Sequence, residues 1–123
     1  MAVLGQASTN PPLIPDVVLT VGTTWSPPYK VKALVRCFGG GGSGGVALTR
    51  SGGIANSYLW TATGGGAGEH AGSILELDPS VTYTIVAGAG GLQKSRSSDG
   101  GATGNAGGNT SFAGSGITTI TAN

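Results

Sequence analysis

Seven consecutive residues, Gly39-Gly40-Gly41-Gly42-Ser43-Gly44-Gly45, carry a single side chain larger than a hydrogen atom. Such a stretch has almost nothing of its own to bury. Glycine also loses more backbone freedom on folding than any other residue, and ordering costs about 1–2 kcal/mol per residue in backbone entropy. The stretch therefore either stays loose or is held by main chain lying close against main chain, which the missing Cβ permits. It is not isolated. The 123 residues contain 25 Gly; only Gly5 and Gly22 precede residue 39, and the rest fall between Gly39 and Gly116. Loose chains usually combine low hydrophobicity with high net charge. This chain has 9% charged residues, 38% hydrophobic residues and a mean hydropathy of +0.16. These values predict ordered glycine segments, with main-chain neighbours expected from sister copies of the chain.

The uneven glycine distribution divides the chain into an extended arm, 1–28, and a glycine-rich β domain, 29–123. In the arm, Thr9-Asn10-Pro11-Pro12, Pro15 and Ser26-Pro27-Pro28 favour extended chain and cannot sustain a helix. Val17-Val18-Leu19-Thr20-Val21 is β-prone, ends at Gly22-Thr23-Thr24 and reads as a strand seeking a partner. Val17, Val18 and Leu19, with Gly39, Gly40, Gly41 and Gly42, are the candidate assembly residues.

The fold class expected is all-β, with short antiparallel strands and hairpins joined by ordered glycine-rich loops. Tyr29 to Phe38 alternates with period two: Val31, Ala33, Val35 and Cys37 on one face, Lys30, Lys32, Leu34, Arg36 and Phe38 on the other. Val46–Thr49, Asn56–Trp60, Asn109–Ala113 and Ile117–Thr121 are further short strands. Gly72–Leu77 and Val81–Val86 flank Asp78-Pro79-Ser80, where Pro79 presets φ for a turn, so they read as a hairpin. No four-residue periodicity of helical length is present. The glycine runs lack both a fixed repeat and collagen's every-third-position spacing.

Composition removes several functions. Six basic and five acidic residues leave no electrostatic footprint for nucleic acid. One Cys and one His exclude a disulfide framework and the usual zinc sets, so neither metal nor cofactor is expected. No apolar run approaches the roughly 20 residues of a membrane-spanning helix, and Met1–Leu4 does not read as a secretory leader. The glycine tracts lack the Lys of a phosphate-binding loop and the flanking βαβ unit of a dinucleotide site. His70 beside Glu69 has no nucleophile at a suggestive spacing, and Glu69, Glu76 and Asp78 form no convincing acid–base pair, so no catalysis is expected. Cys37 reads as a small buried hydrophobe. Lys30, Lys32 and Arg36 form either an anion patch or charges that protect a strand edge. Tyr58 and Trp60, between two glycine runs, are the candidate ligand contacts, because aromatics are favoured at contact surfaces. The polar stretch Gly91–Asn105, with Gln93, Lys94, Arg96 and Asp99, is the expected variable surface.

The order of these parts is specific. Lys32-Ala33-Leu34-Val35-Arg36-Cys37-Phe38 runs into Gly39–Gly45. Ile74-Leu75-Glu76-Leu77-Asp78-Pro79 then leads to Val81-Thr82-Tyr83-Thr84-Ile85-Val86-Ala87-Gly88-Ala89-Gly90-Gly91, and Gly107-Gly108-Asn109-Thr110-Ser111-Phe112 follows. The series resembles the glycine-rich domain of tailed-bacteriophage tail fibre and minor tail proteins. Ala87 departs from that pattern by inserting a residue before Gly88. The resemblance implies a virion structural protein of the tail or its tip, assembled in the host cytoplasm. It also implies a homo-oligomer, usually a trimer, joined to other tail proteins and contributing to host attachment through a cell-surface glycan or protein. No nucleic-acid binding or membrane insertion is implied. The competing reading is a surface or secreted carbohydrate-binding module that uses Tyr58 and Trp60.

Overall fold

The computed structural model describes residues 16–20, 22–51 and 57–123. The proline-containing start of the arm, Val21 and residues 52–56 lie outside the described residues. Within them the chain forms nine strands: β1 (Thr23–Trp25), β2 (Val31–Phe38), β3 (Val46–Ser51), β4 (Ser57–Ala62), β5 (His70–Leu77), β6 (Tyr83–Val86), β7 (Gly100–Ala102), β8 (Thr110–Ala113) and β9 (Ile120–Ala122). All pairing is antiparallel, in three sheets ordered β1-β6-β8-β9, β2-β5 and β4-β3-β7. The all-β class expected from the sequence is the class observed.

The alternation of β2 sets the core. Its Val31, Ala33, Val35 and Cys37 stand opposite Leu77, Leu75, Ser73 and Ala71 of β5. This inner face packs on Tyr83, Ile85, Phe112, Ile120 and Ala122 of the four-stranded sheet. Tyr83 and Phe112 stack at 5.1 Å, and the Tyr83 hydroxyl accepts a hydrogen bond from the Asp78 amide at 2.9 Å. Burying one such side chain contributes about 1.5–3 kcal/mol. The core is small because the strands are short.

Several expectations change. Residues 73–77 and 81–86 are not a hairpin. The turn at Asp78-Pro79-Ser80 forms, with Val81 N donating to Asp78 O at 3.1 Å, but it carries the chain from one sheet to the other. β5 pairs with β2, and β6 pairs with β1 and β8. The inner face of β2 needs an eight-residue partner, and β5 matches it position for position, whereas β6 has four residues. In the arm, residues 16–20 form no strand; the strand lies instead at Thr23–Trp25, where a terminator was expected. Within the polar 91–105 stretch, Gly100–Ala102 pairs with β3. The last strand is Ile120–Ala122, shorter than the expected 117–121 and ending one residue later.

The glycine segments are ordered, and the same chain supplies their neighbours where sister copies were expected. Residues 39–45 run through the middle. Gly39 N donates to Glu69 O (2.8 Å), Gly42 N to Gly66 O (2.9 Å), and Thr63 N to Gly45 O (3.0 Å). Gly40 N donates to Gly108 O (2.9 Å) and Ser43 N to Asn105 O (2.8 Å), while Gly91 N donates to Gly41 O (2.8 Å). Every third residue thus faces the same neighbour: 39, 42 and 45 face 63–69, 40 and 43 face 105–108, and 41 faces 91. That is the rotation of a polyproline-II helix, about three residues per turn. The hydrogen bonds point in three directions, so no strand ladder forms. The close approach excludes side chains. A Cβ on Gly44, Gly104 or Gly107 would overlap the carbonyl of Thr63, Ser43 or Gly40 respectively.

Four traverses of this bundle connect the sheets. The chain leaves β2 through 39–45 to reach β3 and returns from β4 through 63–69 to β5. It then leaves β6 through 87–91 and returns from β7 through 103–109 to β8. The β4-β3-β7 sheet makes no close approach to the other two sheets. Seven residues at about 3.1 Å each give a bundle roughly 20 Å long. The core lies at one end and the β4-β3-β7 sheet at the other.

Candidate functional site

At the far end of the bundle, β3 and β4 form an antiparallel pair in which Arg50 stands opposite Tyr58 and Leu48 opposite Trp60. Two-residue spacing puts Tyr58 and Trp60 on one face of β4. Both are open to solvent, at 54% and 58% exposure, and Leu59 on the opposite face is 65% exposed. Leu48, beside Trp60, is 2% exposed.

Arg50 is held in place from several sides. Its Nη2 donates to Ser97 O at 2.6 Å, its amide donates to Asp99 Oδ1 at 3.1 Å, and its Nε lies 3.6 Å from the same carboxylate oxygen. The guanidinium carbon lies 5.8 Å from the Tyr58 ring centre, within the range of a cation–π contact. Arg96 donates to Asp99 O at 3.2 Å. Gly100 has φ of 121° and lies against the Arg96 guanidinium, so a side chain there would be strained and would displace that guanidinium. The 96–100 turn is therefore built onto β3, and two of the four polar residues expected to form a free surface, Arg96 and Asp99, are committed to it. The resulting surface is an aromatic pair with a fixed cation at its side. It can stack on a flat or ring-shaped group and donate hydrogen bonds beside it.

The remaining candidates do not join it. Gly39, Gly40, Gly41 and Gly42 are interior to the bundle, packed on their own chain. Val17 and Val18 are exposed at 49% and 81%, whereas Leu19 packs against the core at the opposite end. His70 stacks on Phe38 at 4.7 Å. Glu69 accepts from the Asn123 amide at 3.0 Å, Glu76 stands opposite Lys32, and Asp78 accepts from the Ser80 amide at 2.8 Å. The Ser80 hydroxyl also donates to that carboxylate. It is the largest influence holding the Asp78 acid below its usual range, followed by the Ser80 amide and the Lys30 charge. Burial raises the Cys37 thiol above its usual pKa. Lys32 and Arg36 share the outer face of β2 with Leu34 and Phe38. Among the described residues, no three His, Cys, Asp or Glu side chains are grouped to hold a metal.

Sequence reasoning missed Arg50 and Leu59. Leu59 was legible, because it lies between the two chosen aromatics. Arg50 was not, since its role depends on a cross-strand register and on Asp99, 49 residues away.

A family model described as a glycine-rich domain matches residues 18–123. No curated protein and no solved structure matches the chain.

Proposed function

The chain belongs to the glycine-rich domain family, and from that premise we propose that it is a bacteriophage virion protein. In this reading it is a minor tail or tail-fibre component that contributes to tail assembly and host attachment without catalysis. One observation carries the reading: a hydrogen-bonded main-chain bundle separates the exposed aromatics of the β3–β4 pair from the core at its other end. A bundle with several hydrogen-bonded neighbours along each segment resists bending, which suits a part that must present a surface at a fixed place. The exposed Val17 and Val18, at the core end, suit attachment to a homotrimer or to neighbouring tail proteins. Tyr58 and Trp60, at the other end, suit contact with a host cell-surface glycan or protein. The order of glycine tracts and strands, which resembles that of tail fibre proteins, supports the same reading.

The test is labelling of intact particles with an antibody raised against the purified chain. Label confined to the tail or its distal tip supports the assignment, and particles that bind no label refute it.

The second reading, a surface or secreted carbohydrate-binding module, is favoured by the same two aromatics, since both are more than half exposed on one face. A glycan array read with the wild-type chain and with Trp60→Ala separates the two. Sugar binding that depends on Trp60, by a protein that no particle carries, favours the module.

A further inference from the structure

Among the described residues β4 is an edge strand, and β3 is the one strand that it contacts. It pairs only with β3 within its sheet, so among the described residues no strand takes up the amide and carbonyl groups on its other side. Natural edge strands carry charge, proline, a bulge or a covering element. Ser57-Tyr58-Leu59-Trp60-Thr61-Ala62 has no charged residue, no proline and no glycine. Three successive large side chains project from both faces, each more than half exposed. This is the composition of a segment that seeks a strand.

We propose that the occupant is a second copy of β4, paired antiparallel across a twofold axis through Leu59. The sequence is self-complementary in that register. Leu59 faces Leu59 of the second copy, Tyr58 faces Trp60, and Trp60 faces Tyr58. Directly opposed residues lie on the same face of a sheet, so both aromatic pairs form on the face that already holds Tyr58 and Trp60. The two three-stranded sheets become one of six strands. Charge permits it: β4 carries no charged residue, and Arg50, opposite Tyr58 on β3, is paired with Asp99.

The area sets the strength. Tyr and Trp side chains bury about 150–250 Å² each, and just over half remains open here. With Leu59 this gives roughly 300 Å² per copy, or about 600 Å² in total, below the roughly 1,200 Å² of a stable interface. The free chain pairs weakly, with a Kd of roughly 10 µM to 1 mM. The contact becomes persistent where copies are held side by side. It is twofold and so cannot close a threefold ring; it joins rings, or forms a simple dimer where no ring exists.

Sedimentation equilibrium of the full chain at roughly 10 µM to 1 mM tests the association, and cysteine cross-linking tests the register. Leu59→Cys under diamide is expected to form disulfide-linked dimers at least tenfold faster than Tyr58→Cys or Trp60→Cys alone. Opposed Cα atoms lie about 4.5–5.5 Å apart, within disulfide reach. An equal mixture of Tyr58→Cys and Trp60→Cys is expected to regain the fast rate. Leu59→Lys is expected to weaken association at least tenfold without unfolding, because the side chain is already exposed. Absence of a twofold step at the highest concentration, equal cross-linking at all three positions, or association unchanged by Leu59→Lys each overturns the proposal. None of these outcomes bears on where the protein sits on a particle.

Discussion

Replacing Gly107 by alanine tests whether the glycine bundle holds the molecule together. A Cβ at Gly107 would overlap the Gly40 carbonyl and lie 2.9 Å from Gly41 O. Restoring ordinary carbon contact at about 3.5–4 Å requires the two segments to part by about 1–2 Å. The bond from Gly40 N to Gly108 O, 2.9 Å long, would then be broken, and those from Gly108 N to Ala89 O (2.7 Å) and Gly91 N to Gly41 O (2.8 Å) would be strained. Two or three bonds at about 1 kcal/mol each, with an overpacking cost of about 1–3 kcal/mol, give a loss of about 3–6 kcal/mol. For a chain of this size that lowers Tm by roughly 10–20 °C. Gly66→Ala is the control. It lies in the same bundle, but a Cβ there meets no atom within 4 Å, so reduced freedom of the unfolded chain should stabilise it by about 0.4–1 kcal/mol. Thermal and urea denaturation followed by circular dichroism read both. Equal losses at Gly107 and Gly66, or none at Gly107, would refute the close-packed bundle.

Tyr83→Phe keeps the stacked ring but removes the partner of the Asp78 amide, and urea denaturation should show a loss of about 1–2 kcal/mol. The Asp78 carboxyl has a lowered pKa, so its stabilisation is complete above the ordinary carboxylate range and is lost as pH falls through the folded value. The stability gap between wild type and Asp78→Asn should therefore narrow as the pH is lowered from about 6 to about 2.5, and a constant gap would remove the carboxylate from the account. Cys37, 4% exposed with its thiol pKa raised, should react with Ellman's reagent at least tenfold more slowly than in urea; equal rates would contradict the burial. Arg50→Ala should increase hydrogen exchange in β3 and in residues 96–102 while leaving β6 and β8 unchanged, because its contacts stay within the far sheet.

Strand identity was legible from the sequence where the cause is local. Val31, Ala33, Val35 and Cys37 alternate because a strand places every second side chain on one face, and that face became the core. The turn at Asp78-Pro79-Ser80 was equally legible, since Pro79 and the Asp78 carboxylate act within three residues. The order of the glycine segments also followed from composition: low charge and intervening β-branched strands do not describe a loose linker.

Partner choice was decided only in three dimensions. Two strands flanking a good turn suggest a hairpin, yet β5 had a longer and better matched partner in β2, and that competition is invisible locally. Glycine carries no side chain and so no mark of what it lies against. The threefold turn of residues 39–45 sends successive peptide groups to three different segments, all of this chain, and a hydrogen bond with residue 69, 108 or 91 leaves no periodic trace in the sequence. The pairing of Arg50 with Tyr58 and Asp99 is likewise a matter of register. What each short segment becomes is set by its own residues; which segments meet is set by the competition among all of them for the same few surfaces.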